Sequence, residues 1–590
     1  MSQQETKDMA KYFYRASAAD FMKIPGGPVA YWVDEELVEA FQTVPPLEDS
    51  WLFRQGMATS DNERFLRYWH EVSWNRIDTT CEGPQDLKES SRKWFPYNKG
   101  GSYRKWYGNN DLVVNWENDG REMKEFTATL NQGMNVRLKS REYYCLPNIT
   151  YSALSSGDFG CRVSQPGFLF DTKGSCLFGN EDDIYVVAAL LNSSAAKACL
   201  QVLCPTLDYN MVGVKKVPYF YSRANDELAR RAVDISKWDW DQSEESWGFQ
   251  SFCLATSQGA LSDSLYEHLE IQKDLVEELN EIEERINDNV INEFGFSNDI
   301  GRQVSVENIS LRCNPDFNYS SQLSEKEKIS RHKSELITEL VSYSIACILG
   351  RFSVDKPGLI IASKGETIQD YLRQIPSPRF TPDDDAILPL TDQEWFADDA
   401  TNRFREFVRV VWGDEYLQEN LDFVAESLCL HAIKPKRGES ALDTIRRYLS
   451  TQFYKDHLRT YKKRPIYWLF SSGKHKAFEC LVYLHRYNEG TLARMRTEYV
   501  IPLSAKLNAY AEKLEQDKDA STSAAETKRL EKEIATLHKQ QAELAEFDEK
   551  LRHYADQRIA LDLDDGVKVN YGKFGDLLAE VKAVTGEKPQ

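Results

Sequence analysis

Apolar and polar residues alternate along this chain with periods that predict more helix than strand. Between residues 261 and 294, apolar residues recur every three or four positions, which predicts one long helix. The same spacing occurs on both sides of A-S-T-S-A-A-E, within residues 503–551, and predicts two helices packed as an antiparallel hairpin. Residues 188–203 predict a further helix, and four short apolar runs predict strands at 112–116, 143–146, 167–170 and 184–187.

These elements predict an α+β multidomain protein. At roughly 150 residues per domain, a chain of 590 residues holds several domains. We divide it into six segments: a helical connector at 1–75, a mixed α/β domain at 76–225, a long helical spacer at 226–300, a mixed but mainly helical domain at 301–445, a small basic and aromatic α/β unit at 446–500, and the helical hairpin with the terminal segment at 501–590.

Composition narrows the class of protein. Apolar residues make up 41% of the chain, enough for real hydrophobic cores. No run of about 18 apolar residues occurs and the first residues, M-S-Q-Q-E-T-K-D, contain no apolar leader, so we expect a cytoplasmic protein without a membrane span. The 11 cysteines include no C-x-x-C pair, which argues against a zinc ribbon.

The net charge of −20 is unusual for a protein that binds nucleic acid, but the charge is unevenly distributed. Residues 88–141 contain more Lys and Arg than Asp and Glu, whereas acids dominate 267–298 and 382–426. Any surface that binds nucleic acid is therefore expected to be local.

Residues 93–110, K-W-F-P-Y-N-K-G-G-S-Y-R-K-W-Y-G-N-N, combine cations, aromatic rings and glycine turns without an acid. Cations bind phosphate and flat rings stack on bases, so this combination is typical of a nucleic-acid contact loop. The alternative is a hairpin whose aromatic residues belong to a core. The candidates for phosphate contact are Arg92, Lys93, Lys99, Arg104 and Lys105, and those for base contact are Trp106, Tyr107 and Asn109.

Two further stretches carry candidate DNA-contacting residues. In G-M-A-T-S-D-N-E-R-F we select Thr59, Asp61, Asn62 and Arg64; the alternative is a helix capped by Asp61. In Y-K-K-R-P-I-Y-W-L-F-S-S-G the cations precede an apolar strand, and the alternative is a buried strand beside surface lysines. The candidates there are Lys462, Lys463 and Arg464.

The segment K-W-F-P-Y-N-K-G-G-S-Y-R-K-W-Y-G-N resembles the adenine-specific DNA methyltransferases of BREX phage-defence systems, the PglX family. I-P-G-G-P-V-A-Y-W and L-D-L-D-D-G-V-K-V-N-Y-G-K-F-G-D-L resemble other segments of that family. A helix with L-L-N-S followed by K-K-V-P resembles the target recognition domains of type I specificity subunits and type IIG enzymes, which implies that 76–225 is a target recognition domain.

The resemblance implies that the complete enzyme transfers methyl from S-adenosylmethionine to adenine in double-stranded DNA. It implies that this chain matches the half that follows the methyltransferase core, so the core is expected in a missing N-terminal half or in a separate chain. We find no glycine-rich cofactor motif in this sequence. Other BREX proteins are possible partners. The alternative function is a non-catalytic assembly subunit of a phage-defence complex.

Asn314-Pro315-Asp316-Phe317 resembles the tetrapeptide with which N6-adenine methyltransferases hold the flipped base. Asp316 stands where the family motif has a second proline, and no cofactor motif precedes it. We therefore expect no catalytic role for this tetrapeptide.

Overall fold

The computed structural model describes residues 18–154, 158–206, 208–256, 259–296 and 300–587. The fold is mixed α and β, as the sequence predicts. The chain forms two compact units, and each is discontinuous in sequence. Unit 1 contains Met1–Leu66, Arg76–Trp240 and Ile271–Gln322, and unit 2 contains Arg67–Asn75, Asp241–Glu270 and Leu323–Gln590.

Unit 1 combines short strands with helices of very different lengths. Its strands are β1 (Leu52–Arg54), β2 (Leu66–Tyr68, of which only Leu66 is in unit 1), β3 (Trp94–Asn98), β4 (Leu112–Asn115), β5 (Asn148–Ser152), β6 (Cys161–Ser164), β7 (Leu169–Phe170) and β8 (Gly174–Phe178). Its helices are α1 (Ala18–Phe21), α2 (Glu35–Thr43), α3 (Asn62–Phe65), α4 (Pro84–Glu89), α5 (Glu117–Ala128), α6 (Gly133–Arg137), α7 (Ile184–Asn192), α8 (Ser194–Leu203), α9 (Met211–Val214), α10 (Asp226–Asp241), α11 (Leu261–Phe294, in unit 1 from Ile271) and α12 (Pro315–Asn318).

Two sheets form the framework of unit 1. The first has the strand order β1-β8-β5-β6, and all its pairs are antiparallel. In the second, β3 pairs with β4 in antiparallel and with β7 in parallel orientation. Every residue of β3, β5 and β8 is buried, so these strands are covered on both faces.

The region after β8 differs from the sequence prediction. Residues 184–187, predicted as a strand, form the first turn of α7, and 143–146 form no strand. The predicted helix at 188–203 is two helices, because Ser193 has an extended conformation and its hydroxyl caps α8 by accepting from the N–H of Ala196. Isoleucine and valine are ambiguous between strand and buried helix, which explains the wrong strand prediction.

No single helix among the described residues is both long and apolar enough to cross a membrane. A bent pair, Glu181–Asn192 and Ser194–Leu203, has the required length and composition and is bent by 69°.

Unit 2 is mainly helical. Its helices are α13 (Glu325–Ile348), α14 (Ile368–Gln374), α15 (Ala400–Trp412), α16 (Leu417–His431), α17 (Ala441–Thr451), α18 (Phe453–Thr460), α19 (Thr491–Arg494), α20 (Ile501–Ala520), α21 (Ala524–Asp556), α22 (Gly566–Gly572) and α23 (Val581–Thr585). A π-helical stretch, Met495–Val500, joins α19 to α20. Strands β9 (Ile387–Pro389), β10 (Tyr467–Ser471) and β11 (Glu479–Tyr483) form an antiparallel sheet in the order β10-β11-β9.

Helices α20 and α21 pack along each other as an antiparallel hairpin. The phenol of Tyr510 donates to Glu533, and Gln541 donates to Asn508, so positions later in α20 pair with positions earlier in α21. The side chains between the helices are apolar and buried, as expected for hairpin seams. They include Leu503, Leu507, Leu514, Leu530, Ile534, Leu537, Leu544 and Leu551.

Unit 2 also contains a largely buried carboxyl group, that of the half-buried residue Glu244. Burial raises the pKa of Glu244 to about 7, although the Ser342 hydroxyl that donates to it and the nearby Arg351 act in the opposite direction. The folded protein therefore holds a proton that the unfolded chain, with a pKa near 4.5, releases. The contribution of this group to stability is present at low pH and is lost as the pH rises from about 4.5 to 7.

We predict that Glu244→Gln raises the melting temperature at pH 8 by several degrees and changes it little at pH 5. Glutamine is neutral at both pH values and can still accept from Ser342, so it removes only the cost of the buried charge. Thermal unfolding followed by circular dichroism at the two pH values measures the difference. An equal shift at both pH values would show that the carboxyl group is not protonated in the fold.

Candidate nucleic-acid interface

The candidate segment 93–110 begins with β3 and continues into its connection to β4. Trp94, Phe95, Pro96 and Tyr97 lie opposite Asn115, Val114, Val113 and Leu112. The connection returns to the first sheet, because the N–H of Trp106 donates to Cys161 O at 2.9 Å and the N–H of Val163 donates to Trp106 O at 2.9 Å. The connection is thus held against both sheets.

The aromatic residues of this segment belong to the core. Trp106 is 1% exposed, Tyr107 is 8% exposed, and the three aromatic residues of β3 are fully buried. This favours the alternative stated for these rings, and corrects the expectation that Trp106 and Tyr107 approach bases. The cause is the regular pairing of β3 and the contact of Trp106 with β6, neither of which is visible in composition.

Lys105 forms an ion pair inside unit 1. Its ammonium group lies 2.6 Å from a carboxylate oxygen of Glu283 on α11, and the indole N–H of Trp106 donates to the other oxygen at 2.8 Å. Burial opposes the charged form, but Glu283 outweighs burial and raises the pKa of Lys105. Lys105 and Trp106 are therefore both bound to Glu283 inside unit 1, and we call these contacts the buried clamp.

Arg104 has a similar structural role. Its guanidinium lies 3.5 Å from Asp239 on α10, donates to Ser310 O at 3.2 Å and covers the ring of Trp240. Burial lowers the pKa of Arg104, and Asp239 acts in the opposite direction. Because Arg104 and Lys105 are both engaged with internal acids, we no longer assign them phosphate contacts.

The glycines of the segment form an accessible loop. Gly100 has φ +87°, the left-handed region that favours glycine. The N–H of Gly101 donates to the Ser152 hydroxyl at 3.0 Å, and the side-chain amide of Asn109 donates to Ser102 O at 2.9 Å. We call residues 99–102 the glycine loop; Gly101 and Ser102 are exposed.

Two lysines flank the glycine loop. Lys99 is half-buried, and burial lowers its pKa while Asp171 acts in the opposite direction. Lys173 is exposed, and its carbonyl accepts from the N–H of Ala153 at 3.0 Å, next to Ser152. Lys173 is not among the candidates predicted from the sequence. The signal that could have found it is T-K-G, a cation beside a glycine between two predicted strands.

Arg92 and Lys93 lie before β3. Arg92 is exposed, and Lys93 is half-buried with its ammonium 5.4 Å from the centre of the Trp94 ring. Both are accessible to a ligand at least in part.

The turn at 58–62 is built by its own polar side chains. The Thr59 hydroxyl donates to the Asn62 amide oxygen at 2.6 Å, and Asp61 accepts from the N–H of Arg64 at 3.1 Å as the cap of α3. Arg64 pairs with Glu122 at 2.7 Å. The capped-helix alternative therefore describes Asp61 correctly, while Asn62 and Arg64 are exposed.

The third group of candidates lies in unit 2. Lys463 is exposed, whereas Arg464 donates to the carbonyls of Lys463 and Val584 and lies 3.9 Å from Glu71. Lys462 lies 3.9 Å from Glu245. Strand β10 behind them is buried, as the alternative interpretation states. The structure thus gives Lys462 and Arg464 internal acidic neighbours.

Asn314 is used to hold its own loop. Its amide nitrogen donates to the carbonyls of Val306 and Ile309, and its amide oxygen accepts from the N–H of Asp316. All of these contacts are local, and the side chain caps α12.

Cations without an acidic partner are concentrated in one part of unit 1. Among the residues that the structure describes there, several Lys and Arg between 54 and 173 form no ion pair: Arg54, Lys88, Arg92, Lys99, Arg121, Arg137, Lys139, Arg141, Arg162 and Lys173. Later cations of the unit form ion pairs at Lys197, Lys215, Lys216, Arg223, Arg230, Arg231 and Arg302, and Arg285 is an exception. Residues 54–173 contain 17 Lys and Arg against 15 Asp and Glu, so this region is slightly positive in a chain of net charge −20.

Comparison with known proteins agrees with the family resemblance. The chain is 46% identical over 577 residues to the adenine-specific methyltransferase BrxX of Escherichia coli O9:H4 (strain HS). The chain is thus similar to part of an adenine-specific methyltransferase. It is also 36% identical over 583 residues to the adenine-specific methyltransferase PglX of Lacticaseibacillus casei (strain Zhang). No family model matches the chain.

The alignments cover 97% and 95% of this chain but 46% and 45% of the two relatives. The chain thus spans about half the length of the curated relatives it matches.

We predict that Lys105→Met lowers the free energy of unfolding by about 3 kcal/mol, because it leaves Glu283 buried without its counter-charge. Urea denaturation followed by tryptophan fluorescence measures the loss. The double variant Lys105→Met/Glu283→Gln, which removes the stranded charge and keeps an acceptor for Trp106, is expected to regain part of it. Wild-type stability of Lys105→Met would contradict the buried clamp.

Proposed function

We propose that this chain is the DNA-recognition portion of an adenine-specific DNA methyltransferase of the BREX type. The observation that carries the proposal is the cluster of cations without acidic partners in unit 1, on a chain that is otherwise strongly acidic. Nine of these ten residues are exposed or half-buried and are available to neutralise phosphates, whereas Arg162 is buried. The similarity to two adenine-specific methyltransferases supports the same function.

The glycine loop is the proposed centre of contact. Lys99 and Lys173 would bind phosphates on either side of it, and the hydroxyl of Ser102 and the amide of Asn109 lie beside them. Arg92, Lys93 and the exposed Asn62 would extend this surface, whereas Thr59 is buried and Arg64 pairs with Glu122. Arg104, Lys105 and Trp106 have a structural role instead. Arg104 pairs with Asp239, and Lys105 and Trp106 both contact Glu283, so these residues hold the loop in place.

Methyl transfer belongs to the proposal for the complete enzyme. S-adenosylmethionine would supply the methyl group, and the adenine amino nitrogen of double-stranded DNA would accept it. We assign no residue of this chain to the cofactor. The remaining length of the relatives, or a separate chain, would carry the methyltransferase core, and other BREX proteins are proposed partners.

A second candidate function, an assembly subunit, is favoured by exposed apolar side chains. Val29 is 66%, Tyr31 50% and Trp32 48% exposed, and all three lie in I-P-G-G-P-V-A-Y-W. Side chains of this kind are enriched in protein interfaces. The burial of the aromatic residues in 93–110 also fits this alternative.

We predict that Lys99→Gln/Lys173→Gln weakens binding of a DNA duplex and lowers the slope of log affinity against log salt by about 2, because each lost phosphate contact removes about one unit. Fluorescence anisotropy at several salt concentrations measures both quantities. The matched control, Arg230→Gln/Arg231→Gln, removes the same charge from two exposed residues that form ion pairs. An equal effect of both variants would show that only net charge matters.

Calorimetric titration of the chain with duplex DNA and with S-adenosylmethionine tests whether it is a recognition portion or a complete enzyme. We predict that the wild-type chain binds duplex DNA and gives no heat with S-adenosylmethionine. Heat with the cofactor would place a cofactor site in this chain and contradict the proposed division. Failure to bind DNA would favour the assembly subunit.

A further inference from the structure

Four of the cations without acidic partners lie next to the turn at 58–62. They are Arg54, Arg137, Lys139 and Arg141, which we call the basic strip. The four residues come from two separate parts of the sequence. They are brought together because Met57 and Leu138 form an antiparallel bridge, and the N–H of Ala58 donates to Arg137 O at 2.7 Å.

The bridge buries one residue of this segment and leaves the cations around it accessible. Leu138 is 1% exposed, whereas Arg137 at the end of α6, Lys139 and Arg141 are half-buried.

The strip contacts neutral groups instead of acids. Arg137 donates to the Ser60 hydroxyl at 3.3 Å, Lys139 to the Gln55 amide oxygen at 3.3 Å and Arg141 to the Asn135 amide oxygen at 3.2 Å. Arg54 donates to the Tyr143 hydroxyl at 3.1 Å, and its guanidinium lies 4.8 Å from the centre of that ring.

These contacts orient the cations without neutralising them. Among the described residues, none of the four forms an ion pair, and the exposed carboxylate of Glu142 pairs with none of them. Arg64, on the other side of the turn, is by contrast paired with Glu122. A set of oriented cations without acidic partners is suited to binding an extended polyanion such as DNA. Each phosphate can be neutralised by one nearby cation, and this contact does not depend on the base sequence.

We propose that the basic strip binds the phosphate backbone of duplex DNA, as a surface additional to the glycine loop. The inference rests on the proposed function of DNA recognition. It adds residues that the sequence analysis did not select, and it assigns them a contact with the sugar-phosphate backbone that is independent of base sequence. The turn at 58–62 then lies beside phosphate contacts, and its exposed residue Asn62 would lie near DNA.

The test compares duplex binding by three variants of the whole chain over a range of salt concentrations. Arg137→Gln/Lys139→Gln/Arg141→Gln keeps hydrogen-bonding side chains and removes three charges. Its matched control, Arg223→Gln/Arg230→Gln/Arg231→Gln, removes three charges from residues that form ion pairs. Arg137→Lys/Arg141→Lys keeps the charges of the strip and changes the shape of two side chains.

We expect the strip variant to lower the log–log salt slope by about 3 and to weaken binding at least tenfold, equally for duplexes of different sequence. The control and the charge-preserving variant should keep the wild-type slope. Thermal unfolding checks that each variant is folded. If the triple glutamine variant does not fold, the single variant Lys139→Gln replaces it. We expect that variant to lower the salt slope by about 1.

The outcomes distinguish this inference from the proposed function. A wild-type slope in the strip variant, together with a reduced slope in Lys99→Gln/Lys173→Gln, would overturn the strip and leave DNA recognition intact. No duplex binding by the wild-type chain would overturn both. A loss of slope in the charge-preserving variant would mean that the strip acts through packing, which also overturns the inference.

Discussion

The arrangement of the candidate interface depends on one buried carboxylate, that of Glu283. One oxygen accepts from the ammonium of Lys105 and the other from the indole of Trp106, so consecutive residues of the β3–β4 connection are tied to the same turn of α11. Breaking such a pair strands a charge in a low-dielectric interior, which is costly. The glycine loop lies a few residues earlier in the chain. The clamp and the hydrogen bond from the Gly101 N–H to the Ser152 hydroxyl hold it in place.

The distribution of ion pairs gives the acidic chain its local positive surface. Over much of unit 1, Lys and Arg pair with Asp or Glu, and these pairs contribute little stability when exposed. The four cations of the basic strip instead contact hydroxyls, amides and an aromatic ring. A net charge of −20 repels DNA at long range, so the proposed DNA-binding surface would have to act over short distances, within about a Debye length of 8–10 Å in physiological salt.

Some of these features follow from the sequence. The spacing of apolar residues identifies α11 and the α20–α21 hairpin, because a long helix repeats its pattern often enough to exclude a strand. Short apolar runs are less informative. Residues 112–116 are correctly predicted, since β4 covers Leu112–Asn115, but 184–187 have the composition of a strand and form a helix within a buried core. The break at Ser193 depends on a capping hydroxyl and has no periodic signal.

The sequence by itself determined that cations, glycines and aromatic rings gather in 93–110, and its similarity to adenine-specific methyltransferases is a property of the sequence as well. Only the tertiary structure decided which of these residues face outward. Arg104 and Lys105 meet Asp239 and Glu283, partners more than a hundred positions away, so no local pattern reveals that they are engaged. Lys173 and the basic strip join the surface for the same reason. Strand pairing and loop bridges bring cations together that are distant in the sequence. Ion pairs between residues far apart in the sequence then decide which of these cations remain available to bind a ligand.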